Sequence, residues 1–448
     1  MENVDTLIYA GWVIPVEPDN TVYSHHAVAI QDGKIVDIVP SDEAAHRFLP
    51  RITHRLPTHV LMPGMVNTHT HAAMTLLRGF ADDLPLNEWL TQHIWPAEAA
   101  CVSPEFIIDG TQLAIAEMLR AGVTCFNDMY FFPDTMAEVV EKTGIRATIG
   151  LIVLDFPTAW AANADEYLQK AQVVHDKYQD NPLIQFALAP HAPYTVSDEP
   201  LIKAKALVDK WQVPMHIHVH ETAHEVDEAV KNQGERPLSR LHKLGLVDSS
   251  LLNVHATQLE QDEIELLAKQ GAHVVHCPES NLKLASGFCP VDKLLKAGVN
   301  VALGTDGTAS NNDLDMLGEM RTAALLSKGI SGNASSVPAH EALRMATLNG
   351  AKALGIDDVT GSLEIGKSAD IVALDMQTLE TMPMYDPISQ IVYATSRDKV
   401  SDVWVAGEHL LKSRALTRID IHELMSKVTA WREKVDAAVE AAANQTEK

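Results

Sequence analysis

Between residues 60 and 360 the chain alternates short apolar runs with longer stretches whose hydrophobic positions recur at helical spacing. The runs fall at 60–66, 123–127, 146–153, 184–189, 214–219, 252–255, 273–276 and 299–304, and the helical stretches include Pro104 to Ala121, Ala161 to Tyr178, Pro200 to Trp211 and Leu259 to Gln270. Short buried strands joined by helices imply a parallel sheet with crossover connections. Eight of them close a (β/α)8 TIM-type barrel. Outside this region the pattern changes. Leu7 to Ile14 and Ala27 to Val39 read as strands, the second group folded at Asp32-Gly33, a tight-hairpin dipeptide. The same style returns at Asp370 to Leu374 and at Val403 to Leu410, which repeats the layout of Ile8 to Ile14 around a glycine. Neither terminal segment can bury a face alone, so the two are expected to pack as one small β-sandwich with the barrel inserted between them. The expected layout is 1–58 and 361–415 for the sandwich, 59–360 for the barrel and 416–448 for a last helix. Asp420 would cap that helix, whose stripe from Ile421 through Trp431 to Val439 is expected to dock on the barrel or on another subunit.

In such a barrel the strand interiors are filled by packed side chains, and chemistry sits at the carboxyl ends. The residues there are His69 and His71, Asn127-Asp128, Asp155, Pro190-His191, His218 to Glu221, His255, Pro278 to Asn281, and Asp306. Loops that were merely hydrophilic would supply Lys, Ser and Glu in proportion to composition. Here His and Asp recur instead.

Composition narrows the partners. An apolar fraction of 46% and a charged fraction of 21% are ordinary for a globular protein. Thirty-five basic against sixty acidic side chains give a net charge of −25, a field that repels phosphate backbones, so a nucleic-acid polymer is excluded as a partner. Cys101, Cys125, Cys277 and Cys289 are scattered, the amino terminus lacks the layout of a signal peptide, and no apolar run has the length of a membrane span. A cytoplasmic location is expected, with no membrane partner.

His69 and His71 are separated by one residue, so in an extended strand both imidazoles face one side. His216, His218 and His220 alternate in the same way, and periodicity does not choose among them. With Asp306, three histidines and a carboxylate form an N/O set suited to one Zn²⁺ or Fe²⁺ with room for a water. Such an ion lowers the pKa of its water from 15.7 to about 7, and Glu221 is left free to move protons. The arrangement points to hydrolytic attack on a polarised carbon.

These motifs, taken together, carry a resemblance. Asn67-Thr68-His69-Thr70-His71-Ala72 followed by Met74 to Gly79, then Pro190-His191-Ala192-Pro193-Tyr194, His218-Val219-His220-Glu221-Thr222 and Gly304-Thr305-Asp306-Gly307, resemble the amidohydrolase superfamily. Within it the chain is similar to the 5-methylthioadenosine/S-adenosylhomocysteine deaminases, from about residue 5 to 415. The resemblance implies metal ligands His69, His71, His218 and Asp306, because the family's His-x-x-Glu pattern fits His218 and Glu221. It implies that Glu98 holds the ribose hydroxyls and that His191 contacts the ligand beside the base. It implies a reaction in which Asp306 takes a proton from the attacking water, Glu221 delivers one to N1 of the purine, and His255 steadies the oxygen added at C6, with ammonia leaving. The likeness also suggests a homo-oligomer.

Two departures sharpen the reading. Two-metal barrel hydrolases use a strand-end lysine as a modified bridge, and neither Val153-Leu154-Asp155 nor Phe186 to His191 contains one, so one metal is expected. Some deaminases of this kind supply arginines after the third strand for the homocysteine carboxylate, whereas no arginine lies between Arg146 and Arg236 here. The segment Leu154 to Trp160 suits an apolar 5′ substituent, with Trp89, Phe156 and Trp160 as expected substrate contacts alongside Glu98, His191, Glu221 and Asp306. Methylthioadenosine is therefore expected to be preferred over S-adenosylhomocysteine. A guanine, cytosine or triazine hydrolase on the same frame is the alternative, and a non-catalytic metal-bound scaffold a more distant one.

Overall fold

The protein, described here by a computed structural model that covers residues 1–446 and side chains through residue 441, begins with four strands: β1 (Glu2–Val13), β2 (Tyr23–Gln31), β3 (Lys34–Pro40) and β4 (Phe48–Pro63). Eight parallel strands follow, β5 (Met65–Thr70), β6 (Val123–Tyr130), β7 (Arg146–Val153), β8 (Ile184–Pro190), β9 (Met215–Val219), β10 (Leu251–His255), β11 (His273–His276) and β12 (Asn300–Leu303). The chain closes with β13 (Ile371–Asp375), β14 (Val400–Val405), β15 (Glu408–Lys412), β16 (Ala415–Leu416) and a helix, Ile421–Thr446. Residues 447–448 of the expected last helix lie outside the described residues.

The terminal strands form one continuous sheet in the order β16-β15-β14-β13-β4-β1-β2-β3, joined where β4 pairs antiparallel with β13. The sheet curls over a shared core of Ile8, Val28, Ile35, Leu61, Ile371 and Trp404. Its two hairpin tips meet through Ala369, whose N–H donates to Gly33 O at 2.8 Å and whose carbonyl accepts from Gly407 N at 3.1 Å. The sequence likeness of Ile8–Ile14 and Val403–Leu410 resolves into different structures. Gly11 lies inside the continuous strand β1, whereas Ala406 and Gly407, at φ 48° and 76°, make the turn between β14 and β15. Arg146, at the start of β7, ties barrel to sheet through a buried pair with Asp370, with Nε to Oδ2 at 2.9 Å.

The first barrel strand departs from expectation. The apolar run at 60–66 spans two strands, since Val60 and Met62 pair with Leu374 and Val372 of β13, while Met65 and Val66 pair with β6. Pro63 and Gly64 divide them. A Cβ on Gly64 would lie 1.9 Å from Thr124 Oγ1, so only glycine lets the chain pass this closely from one sheet into the other. β6 also runs three residues beyond the expected 127, to Tyr130.

Between β12 and β5 the barrel is fastened by side chains. Thr68 Oγ1 donates to Leu303 O at 2.7 Å, while Asn67 donates to Thr305 Oγ1 at 2.8 Å and accepts from Thr305 N at 3.0 Å. Asp306 N then donates to His69 O at 3.0 Å, which brings residues 237 apart in sequence to one point. The last helix packs on helices Trp95–Cys101 and Pro104–Arg120, with Trp431 Nε1 donating to Asp109 Oδ2 at 2.8 Å. Asp420 accepts from His422 N and Glu423 N at its start. Much of its apolar stripe is thus covered within the same chain. Among the described residues no helix is long and apolar enough to cross a membrane.

Candidate active site

Four groups converge at the carboxyl rim. His69 Nε2 lies 3.2 Å from His218 Nε2 and 3.2 Å from Asp306 Oδ1, and His71 Nε2 lies 3.2 Å from the same oxygen. Donors of a tetrahedral ion with bonds of about 2.0–2.1 Å stand roughly 3.3 Å apart, so these separations fit the edges of one coordination polyhedron. The tautomers agree with that fit. His71 Nδ1 donates to Met129 O at 2.6 Å and His218 Nδ1 to His191 O at 2.7 Å, which turns each Nε2 lone pair toward the common centre. Asp306 Oδ2 is held from behind by the hydroxyls of Ser280, at 2.7 Å, and Ser310, at 3.0 Å. The donor set fits a divalent metal ion.

Electrostatics points the same way. Burial pulls His71 down, but the hydrogen bond and charge of Asp306 outweigh it and push the imidazole up to about 9. Burial would raise Asp306, yet its bonds to His69 and His71 hold it well below the usual carboxylate range. Burial lowers His69 to about 4 and His218 well below its ordinary value. With His71 holding a proton against Asp306, the carboxylate draws positive charge into the space between the rings, the place a cation would take.

Glu221 and His255 stand beside this centre, Oε2 and Nε2 3.8 Å apart. His255 Nδ1 donates to Asn281 Oδ1 at 2.8 Å, which leaves Nε2 facing the cavity. Burial raises the Glu221 carboxyl, a state suited to delivering a proton. Its backbone is fixed by Glu225, which accepts from Glu221 N at 2.7 Å and His220 N at 3.0 Å. His220, His255 and Asp306 all adopt positive φ, at 58°, 72° and 63°. Left-handed backbone is costly for such residues, and here it aims side chains as the strands end. At His220 this turn has a further effect. The expectation of three like-facing histidines fails, because the His220 ring lies outside the barrel, accepting from Leu238 N at 3.2 Å. His216 points inward but stays beneath the cavity, its Nε2 2.9 Å from His69 Nδ1.

Above lies a cavity of 490 Å³ bounded by His71, His218, His255, Glu221 and Asp306 below and by Trp89, Trp95, Glu98, Phe156, His191 and Tyr194 around it. Glu98 is buried, accepts from Tyr130 Oη at 2.7 Å, and is raised by that burial to about 7. Burial and neighbouring imidazoles bring His191 down to about 3, and its Nδ1 lies 3.0 Å from Thr195 Oγ1. Among the described residues no lysine or arginine lines the cavity. Trp160 is not brought into it. The loop after β7 folds back through Thr158 N to Ala161 O at 2.9 Å, and the indole packs on Phe132 with Lys170 above it. Tyr130, Trp95, Tyr194, Glu225 and the two serines escaped sequence reasoning as contributors, because none belongs to a periodic ligand pattern. The only sequence trace of Glu225 is its spacing after Thr222, the start of a helix cap.

Residues 60–410 match the amidohydrolase family, and the chain belongs to it. The curated relatives place it further. A 5-methylthioadenosine/S-adenosylhomocysteine deaminase of Teredinibacter turnerae is 49% identical over 98% of this chain and 100% of its own length, and one of Saccharophagus degradans is 48% identical over 97% of each. Within the amidohydrolases the chain belongs to the family of these deaminases. Among solved structures, a zinc-bound adenosine deaminase from Xanthomonas campestris is 52% identical and superposes with a TM-score of 0.96 over 97% of this chain and 99% of its own. A zinc-complexed atrazine chlorohydrolase from Arthrobacter aurescens shares the fold at 23% identity, with a TM-score of 0.88 over 95% and 99% of the two chains.

Proposed function

We propose that the chain is a zinc-dependent hydrolase that deaminates adenosine-type nucleosides, with 5′-methylthioadenosine as its preferred substrate and the 6-oxo, inosine-type nucleoside and ammonia as products. The observation that carries this is the meeting of His69, His71, His218 and Asp306 at 3.2 Å separations, with His71, His218 and Asp306 on a cavity wall that also holds Glu221 and His255. His69, His71, His218 and Asp306 would hold the ion. When bound, it supplies Lewis-acid activation of water at neutral pH and polarises the developing oxygen.

The protein's own groups do the rest. Asp306 accepts a proton from the attacking water, helped by an Oδ2 already steadied by two serine hydroxyls. Glu221, its carboxyl raised by burial, donates to N1 and so makes C6 electrophilic; the proton taken up by Asp306 then passes to the departing nitrogen, and the C6 hydroxyl returns its proton to Glu221. His255, its ring fixed at Nδ1 by Asn281, donates from Nε2 to the oxygen at C6 in its doubly protonated form. Glu98 accepts from the ribose hydroxyls, and His191 lies beside the base. The apolar wall with Phe156 and Trp89 takes the 5′ substituent. A homocysteine carboxylate there would meet no lysine or arginine among the described residues, and an unpaired buried charge is costly. This reading includes a cytoplasmic location.

Ammonia release from methylthioadenosine, S-adenosylhomocysteine, adenosine, guanine, cytosine and an aminotriazine tests the proposal. Turnover is expected for the adenosine nucleosides, with kcat/KM highest for methylthioadenosine, and chelation followed by zinc is expected to remove and restore it. Release from guanine or the triazine alone sinks the assignment. Equal kcat/KM for methylthioadenosine and S-adenosylhomocysteine sinks only the preference.

A further inference from the structure

Of the three histidines at the centre, two are fixed by backbone carbonyls, those of Met129 and His191. His69 differs. Its Nδ1 lies 2.9 Å from Nε2 of His216, a fully buried side chain on β9 that lines no part of the cavity. Two ring nitrogens can hydrogen-bond only when one carries a proton and the other a lone pair. His69 Nε2 faces His218 and Asp306, so its proton belongs on Nδ1 and His216 Nε2 accepts it. With Nε2 accepting, the ring of His216 carries its own proton on Nδ1. That N–H has no partner among the described residues.

Nor is it alone. On the next two strands Asn253 lacks a partner at both Oδ1 and Nδ2, and His276 lacks one at Nδ1. All three side chains are at most 1% exposed. Asn253 sits two residues before His255 and His216 two before His218, so each shares the inward face with a residue of the site, while Val275 beside His276 packs outward. Buried donors and acceptors on the inward faces of three neighbouring strands are of the kind that internal water satisfies, a water needing two to four polar partners.

We propose that His216 is a positioning residue for His69, and that a sealed water site on its Nδ1 side, shared with Asn253 and His276, completes the chain beneath the metal centre. This rests on the metal-centre reading given under Proposed function. The chain holds His69 in the one tautomer that presents a lone pair to an ion. Unlike the two carbonyl locks, it can be removed by substitution.

The test compares His216→Phe, which keeps volume, with His216→Gln, which keeps an acceptor near the Nε2 position. Zinc affinity is read by chelator competition, apo-protein melting reports the packing change separately, and a high-resolution crystal structure of the zinc-loaded parent reports the water. His216→Phe is expected to weaken zinc roughly 10- to 100-fold and His216→Gln no more than about threefold, by the usual effect of losing a ligand's outer partner. Long-range proton–nitrogen spectra of the zinc-loaded parent are expected to place the His69 proton on Nδ1, and the crystal to show water at His216 Nδ1. Parent-like zinc affinity in His216→Phe, or a dry chamber, overturns the proposal. Should the Phe variant fail to fold, His216→Gln and Asn253→Leu carry the test, with Asn253→Leu expected to weaken zinc severalfold and unchanged affinity in it counting against the water site. Failure of the parent to bind zinc would instead sink the metal-centre reading itself.

Discussion

On the floor of the cavity the donors are fixed by further hydrogen bonds. Met129 and His191 carbonyls lock His71 and His218, two serines hold Asp306, and Asn281 holds His255. On the wall the surfaces are Trp89, Trp95, Phe156 and Tyr194, with Phe156 39% and Tyr194 49% exposed, and the buried carboxylate of Glu98 leans on one phenol. The floor stands on strand ends, where ladders and hydrogen bonds set positions to fractions of an ångström. The wall stands largely on loops and short helices, which tolerate change of shape. Groups that must meet a transition state are rigid, and groups that need only enclose a substrate are packed but adaptable. Substitutions on the floor are therefore expected to fall on kcat, and those on the wall on KM.

The largest effect is expected at Glu221. Glu221→Gln removes the proton but keeps the shape, so kcat is expected to fall about 10³-fold or more while metal analysis still returns one ion per chain. Loss of the ion would make Glu221 a ligand and erase the division between donor set and proton carrier. His255→Ala comes next, with kcat lowered roughly 10²- to 10³-fold and KM little changed, the usual cost of losing one donor to a developing oxyanion. A KM effect larger than the kcat effect would move His255 from floor to wall.

How much of each region could be read from the letters follows the same line. His69, His71 and Asp306 are legible because strand-end spacing puts chemistry at a barrel rim, and the choice of His218 came only from a family pattern. Ser280 and Asn281 fall in the strand-end stretch Pro278 to Asn281, but their roles, like that of Ser310, are not legible, since a polar residue just past a strand looks like any loop residue until the fold sets it behind Asp306 or His255. For His220 the alternation fails because it holds only while the strand continues, and the strand stops at Val219 with His220 already at positive φ. The apolar run at 60–66 hid a boundary, because strands of two different sheets follow each other across Pro63-Gly64 without a polar break. On the wall, Trp95 and Tyr194 come from separate crossovers whose approach no local pattern encodes.

Glu98 probes the wall with a sign. Its carboxyl is pushed up to about 7 by burial, offset in part by Tyr130, so below pH 7 it carries a proton and one oxygen no longer accepts freely. KM for methylthioadenosine is expected to fall as pH rises from 6 to 8 and then level off. In Glu98→Gln this dependence should vanish and KM rise roughly 10- to 100-fold, the range for hydrogen bonds to a charged group, with kcat within about threefold. A kcat loss as large as that of His255→Ala would show that Glu98 acts in the chemistry.

The smallest effect separates two aromatic residues four positions apart on one loop. Phe156 faces the cavity and is 6.3 Å from the Trp95 ring, whereas Trp160 faces away, 5.2 Å from Phe132 and beneath Lys170. Because Phe156 is partly exposed, Phe156→Ala removes only part of an aromatic surface from the substrate, and KM for methylthioadenosine is expected to rise about three- to tenfold. Trp160→Ala is expected to leave KM unchanged and to lower the melting temperature by roughly 3 °C through lost packing. If Trp160→Ala raised KM as much as Phe156→Ala, the loop would close over the substrate as one unit, and the wall would owe its shape to the packing behind it as well as to the side chains that face inward.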